Sequence, residues 1–437
     1  MKSKTQESYK FFFIILSIAI LGIIIFYVVY HNSLNKDGSN SSLSSSNTDE
    51  EISNTGEIIT QITTRETTAD EAETEPENTD ETQPVKSDSV ITITESRITF
   101  TGTGDNVVHE CLWMDAAKRI IPGGRAYNFK PMFDDIADMI SKADIAFINQ
   151  ETLMAGSDFV LSGYPLFNSP QELGHDLVEL GFDIINIATN HMNDKGEKGL
   201  TSTINFWRSL DTIVIGDYLN QDEIYDIKVI ERGGIKIAFL SYTYGTNGIT
   251  LPQSSSIVIP YMSDELFLAQ IGKAKEISDA VIVSLHWGEE NTFKPTASQR
   301  QFAQLIADHG VLAIIGHHPH VLQPIEWIEG TGGNKTLCVY SLGNLASGMI
   351  APANMIGGFI SFDIVKRDNT VTLETPVFTP TIYYYGHGWL DGHIYLLKDY
   401  TPELAKSHGT YTRHGYSDTI DTLWGYVTKN IAAEFLE

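Results

Sequence analysis

Residues 184–194 read IINIATNHMND. The first five are apolar except Asn186, and the last six are polar except Met192. An apolar run that breaks into metal-competent side chains is how a buried strand of an open α/β sheet meets a site beyond its carboxyl end. The same pattern recurs on both sides of this stretch. Residues 97–103 (RITFTGT) run into Gly104-Asp105-Asn106, and residues 144–148 into Asn149-Gln150-Glu151. Residues 280–286 (AVIVSLH) lead into Trp287-Gly288-Glu289-Glu290, and residues 312–316 into His317-His318-Pro319-His320. Residues 336–340 and 358–365 also read as strands. Helices are expected over 130–141, 170–180, 196–210, 264–277 and 296–309. Nearly continuous apolar strands alternating with helices predict an α/β fold, a layered β-sandwich flanked by helices. Residues 235–242 and 358–375 have strand–strand character, which suggests antiparallel pairing beside or within a second sheet.

A lone Asp after a strand is usually a turn or a helix cap. Five polar strand ends in one chain are a different matter. Asp, Glu, Asn and His suit Mn²⁺, Zn²⁺, Fe²⁺ or Mg²⁺. An Asn-His pair, a carboxylate and close-set histidines are what a hydrolase with one or two such divalent metal ions needs, with a histidine free to protonate a leaving group.

GDNVVHE, INQET, TNHMNDKGEKGL, SLHWGEE, GHHPHVLQPIE and VYSLGN resemble, in order, the motifs of the poly-gamma-glutamate capsule synthesis family (CapA/PgsA-like), a branch of the calcineurin-like metallophosphoesterase superfamily. The resemblance covers roughly residues 95–380. It implies Asp105, Glu151 (as bridging carboxylate), Asn190 and His286 as metal ligands, with His191 as general acid or phosphate contact. For the last pair it implies His318 with His320 or His317 with His320. The first is favoured, because alternate residues share a face of an extended segment. The superfamily's Asp-x-His is missing at the first strand: Val107 stands where the histidine would be. His109 is a weaker substitute. Asp194, three residues after His191, is expected to hold the imidazole in one tautomer, or else to cap the following helix. Trp287, Asn344, His317 and Arg125 are candidate substrate contacts, and Glu289 and Glu290 read as a solvated pair.

The ends of the chain bear on location. Residues 11–30 (FFFIILSIAILGIIIFYVVY) hold no charge. As a helix they would span about 30 Å, the thickness of a bilayer's hydrocarbon core. Lys2, Lys4 and Lys10 precede them, so residues 1–10 are expected to stay cytoplasmic and the bulk of the chain to face outward as a single-pass bacterial membrane protein. Residues 31–92 hold 14 acidic and 3 basic side chains and few large apolar ones, which predicts a disordered stalk. With +2 on residues 1–30 and -11 on residues 31–92, the total charge of -27 leaves -18 for residues 93–437. That balance argues against nucleic acid as a partner, which clustered Lys and Arg would have to hold. Cys111 and Cys338 are too few for a disulfide scaffold or a four-cysteine zinc site. The expected organisation is a folded domain over 93–380 and an extension over 381–437. The resemblance implies an anionic polymer such as poly-gamma-glutamate as partner, and membrane synthase subunits as further ones.

Overall fold

A computed structural model describes residues 95–436, all within the compact unit Ser87–Glu437. The expected membrane segment and stalk lie outside the described residues. Among the described residues no helix is long and apolar enough to cross a membrane.

The chain begins one sheet, builds a second, and returns to finish the first. β1 (Glu95–Val107), β2 (Ile145–Gln150), β3 (Ile184–Asn186) and β4 (Ile213–Ile215) lie parallel and adjacent in that order. β5 (Lys228–Arg232), β6 (Ile235–Thr243), β7 (Ala280–His286), β8 (Ala313–His317), β9 (Leu322–Glu329) and β10 (Lys335–Leu342) form the second sheet, ordered β5-β6-β7-β8-β10-β9. β11 (Asn344–Ser347) then pairs parallel with β1. β12 (Ile356–Arg367), β13 (Thr370–Tyr384) and β14 (His393–Leu396) extend the first sheet antiparallel beyond β1.

Period-two patterning explains the layers. Ile237, Phe239, Ile282, Ile315, Leu337 and Val339 of the second sheet share one core with Phe100 and Phe147 of the first. Their alternates Ala238, Leu240, Val281, Val283, Ile314 and Cys338 pack in a separate cluster with Phe267, Ile271, Ala303 and Ile306. Those last four belong to the helices Asp264–Ile277 and Ala297–Asp308. The second of these starts at a capping box: Gln299 N–H donates to the Thr296 hydroxyl, and the Gln299 side chain accepts from Thr296 N–H.

The helix expected over 130–141 is instead a short turn at Lys130–Met132 and a helix at Ala137–Ser141. Pro131 sits in the first positions of that turn, where no N–H is required, and the Phe129 N–H just before it is taken by buried Asp176 at 2.8 Å. β13 runs through residue 380, and Leu423, Val427 and Phe435 belong to the same core as the strands.

Candidate metal centre

β1, β2 and β3 run parallel in one sheet, and β7 and β8 in the other, so their carboxyl ends gather polar side chains at one end of the layers. Asp105 sits near the end of β1, where β11 comes alongside with Asn344 opposite it. The approach is possible because residue 104 is glycine: a Cβ there would lie 2.1 Å from the Gly343 carbonyl oxygen.

A buried polar relay fixes Asp105. Ser241 of the second sheet donates to Asn186 Oδ1, Asn186 Nδ2 to Asn149 Oδ1 at 2.7 Å, and Asn149 Nδ2 to Asp105 Oδ1 at 2.8 Å. The other carboxylate oxygen accepts the His318 N–H at 3.1 Å and lies 3.1 Å from His320 Nδ1. Asn344 Oδ1 meets the same His320 nitrogen at 3.0 Å. Asn190 Oδ1 lies 2.9 Å from His286 Nε2.

Glu151 occupies the middle. It is 1% exposed, and neither carboxylate oxygen has a hydrogen-bond partner among the described residues. His320 Nε2 and His286 Nε2 stand 3.6 and 3.7 Å from Glu151 Oε1. Two trios share this residue: Asp105, Glu151 and His320, and Glu151, His286 and His318. In each, one donor atom per residue falls within 4.8 Å of the others, a spacing that one ion with ligand bonds of about 2.0–2.3 Å can draw together.

The charges agree with that geometry. Burial works to raise Asp105, yet His317 and His320 hold it well below the usual carboxylate range. Burial pushes Glu151 well above that range against the pull of His320. Burial also pulls on His320, but Glu151 and Asp105 outweigh it and push the imidazole up to about 10. Burial, then His318, holds His286 well below its ordinary value; burial, then His320, takes His318 down to about 3. The cluster thus keeps a proton between two carboxylates and two neutral imidazoles beside them. Positive charge belongs there, and the neutral imidazoles are in the form that binds metal. The donor set and the orphaned Glu151 oxygens fit divalent cations.

An extended segment would put His318 and His320 on one face, and the structure uses another geometry. Both residues have left-handed backbone, φ 96° and 57°, an unusual conformation held at this turn by the contacts to Asp105 and Asn344. His317 lies beneath the cluster, fully buried, its ring on Phe147 at 5.6 Å and its Nδ1 3.3 Å from Asp105. His191 Nδ1 pairs with Asp194 Oδ2 at 2.7 Å, and that oxygen also accepts the Phe167 N–H at 2.8 Å. The following helix, Gly196–Arg208, starts after Lys195 without a side-chain cap, so Asp194 holds the imidazole rather than the helix.

Three other candidate substrate contacts are placed elsewhere or otherwise engaged. Trp287 is core: its Nε1 donates to the Tyr340 carbonyl at 3.0 Å and its ring stacks on Tyr340. Asn344 is buried and spends its amide on His320 and the Asn354 carbonyl. Arg125 pairs with Asp176 and Glu179 on the helix Glu172–Leu180. His109 takes the Gly348 N–H at 3.1 Å and joins none of the ligand groups. The loop after β6 also reaches the cluster, announced by no motif in the sequence. There Tyr244 lays its ring 4.6 Å from that of His318, and Asn247 accepts from Asn190 Nδ2 at 3.2 Å. The one available signal was the run Tyr244-Gly245-Thr246-Asn247-Gly248, polar and glycine-rich directly after an apolar strand.

Two facing mixed sheets with a carboxylate–imidazole cluster at their strand ends define an α/β protein built around a candidate two-cation centre. Residues 99–349 match the family model described as "Bacterial capsule synthesis protein PGA_cap", more than half of the chain, and every cluster residue from Asp105 to Asn344 falls within the match. The chain belongs to this family. It is 35% identical over 170 residues to the PGA biosynthesis protein CapA of Bacillus subtilis (strain 168), covering 38% of this chain and 43% of that protein. It is 35% identical over 173 residues to the capsule biosynthesis protein CapA of Bacillus anthracis, covering 38% and 40%. The match therefore spans less than half of either relative. Among solved structures, the Haemophilus influenzae NAD nucleotidase aligns with TM-score 0.43 at 11% identity, over 78% of this chain and 57% of that one. The calcineurin-like phosphoesterase YfkN of Bacillus subtilis aligns with TM-score 0.40 at 14% identity, over 77% and 100%. Those likenesses are loose.

Proposed function

We propose that this chain is a membrane-anchored, outward-facing protein of capsule synthesis or export, acting on an anionic polymer such as poly-gamma-glutamate through a metallophosphoesterase-like hydrolase site. The observation that carries the hydrolase reading is Glu151, a buried carboxylate with both oxygens unpartnered at the shared corner of two ligand trios. Asp105, Glu151 and His320 would hold one divalent ion, and Glu151, Asn190, His286 and His318 a second. Such ions supply Lewis-acid activation of the scissile group and of water. His191, oriented by Asp194, delivers a proton to the leaving group. The folded region is acidic, so bound cations supply the attraction that a polyanion requires. Residues 11–30 anchor the chain beside membrane synthase subunits, with residues 31–92 as the tether.

The purified chain loaded with Mn²⁺ or Zn²⁺ is assayed on poly-gamma-glutamate and on a nitrophenyl phosphodiester. Shortening of the polymer supports the proposal. Cleavage of the phosphodiester alone makes the protein a general extracellular phosphoesterase, and neither activity in a metal-loaded protein makes it a polymer-binding scaffold. Protease added to intact cells should release the folded part through the stalk; full protection of the chain overturns the outward orientation.

A further inference from the structure

Glu290 is exposed, yet the chain draws it back over the buried cluster. Trp287 N–H donates to the His317 carbonyl at 3.1 Å, and Asn291 N–H to the Pro319 carbonyl at 2.8 Å. These two bonds lay the loop after β7 along the histidine turn after β8. The Asn354 amide ties the same two segments, donating to Asn291 Oδ1 at 2.8 Å and to the His320 carbonyl at 3.0 Å. Gly288 permits the bend: its φ is 93°, and a Cβ would come within 2.7 Å of the Gln299 side chain. The result is a third trio, Glu290, His318 and His320, with donor atoms within 4.8 Å of one another. His318 is 3% exposed, and its Nδ1 has no hydrogen-bond partner among the described residues.

This trio differs from the inner two in its access. Asp105, Glu151 and His286 are sealed from solvent, so a hydrated cation cannot meet them first. Glu290 meets water directly, and both of its imidazole partners also belong to the inner trios. Two imidazoles and one carboxylate are a donor set that holds Zn²⁺ while leaving a position open. An ion bound there can pass inward by exchanging one carboxylate, Glu290, for another, Glu151, without first losing its contact with a histidine.

We propose that Glu290, His318 and His320 form an outer receiving position through which divalent cations enter the two buried positions. This rests on the inner residues being cation ligands. The neighbouring Glu289 is also exposed and carries the same side chain but belongs to none of the trios, so it separates ligation from electrostatic attraction.

The test uses the full-length chain stripped with a chelator and Co²⁺ alone as probe. Filling is followed by stopped-flow visible absorption, and final content by elemental analysis. Glu290→Gln should fill at least about tenfold more slowly, the low end of what losing a supporting group costs a metal site, and should reach the wild-type content. Glu289→Gln should fill at the wild-type rate. Wild-type filling by Glu290→Gln overturns the proposal, as does equal slowing of both variants. A lower final content in Glu290→Gln also overturns it, because Glu290 would then be a resident ligand. A wild-type chain that takes up no Co²⁺ refutes instead the cation reading of the inner residues.

Discussion

Replacing Glu151 with Gln separates a ligand from a structural ion pair. Burial holds the Glu151 carboxyl well above the usual carboxylate range, and neither of its oxygens has a hydrogen-bond partner among the described residues, so an amide in its place breaks no hydrogen bond. The nearest imidazole nitrogens stand at 3.6 and 3.7 Å, beyond hydrogen-bond distance, so the metal-free fold loses no hydrogen bond. In chelator, Glu151→Gln should therefore match the wild type to within about 1 kcal/mol. With metal the two should part. A ligand at a hundredfold excess over its Kd stabilises the folded state by about 2.7 kcal/mol, which corresponds to a rise of roughly 5–10 °C in Tm for a domain of 150–250 residues, and less for a larger one. The wild type should show such a rise with Mn²⁺, and the variant should show less than half of it. Thermal melts in chelator and in excess Mn²⁺ read both effects. Equal rises in the two proteins would refute the argument, as would a variant that melts far below the wild type in chelator.

His191→Ala should keep its metal while turnover falls by roughly 10²–10⁴-fold, least with a nitrophenolate leaving group that needs no proton; elemental analysis beside kinetics checks both halves. Asn186→Ala cuts the relay from Ser241 to Asp105, leaving a buried Asn149 oxygen unpaired. It should cost about 1–3 kcal/mol in urea denaturation and weaken Mn²⁺ binding about tenfold or more, and unchanged affinity would show that the relay does not orient Asp105. Without metal, stability should fall on both sides of about pH 6.5. His318 sits near 3 when folded, against an ordinary 6.5, so its contribution is full above 6.5 and is lost as pH falls towards 3. His320 sits near 10, so its contribution is full below 6.5 and is lost as pH rises through 10. Mn²⁺ should flatten the alkaline limb, because the cation replaces the proton on His320; a melting profile with the same alkaline limb in Mn²⁺ and in chelator would contradict this.

The parts of the site legible in the sequence are those fixed by strand ends. Asp105, Glu151, Asn190 and His286 each stand at or just beyond the carboxyl end of an apolar run, and parallel strands bring such ends together whatever the detailed register. What stayed hidden depends on tertiary approach. Asn186 reads as an oddity inside a strand until Ser241 of the other sheet meets it. Glu290 reads as solvated charge until backbone bonds to His317 and Pro319 fold its loop inward. Trp287 follows His286 in sequence, but its side chain leaves the site and stacks on Tyr340. The histidine turn shows the same limit. An extended segment puts residues 318 and 320 on one face, whereas the chain brings both to the cluster through left-handed backbone that the sequence does not announce. The helix expected over 130–141 divides into Lys130–Met132 and Ala137–Ser141, a break that the apolar periodicity of the segment does not announce.

Elemental analysis and electron paramagnetic resonance of the chain equilibrated with Mn²⁺ test most directly whether Glu151 joins a pair of divalent cations. Two ions per chain with an exchange-coupled spectrum, reduced in Glu151→Gln to one ion or fewer without coupling, is the predicted result. A wild-type chain that binds no Mn²⁺, or a single isolated ion whose spectrum is indifferent to Glu151, would contradict it.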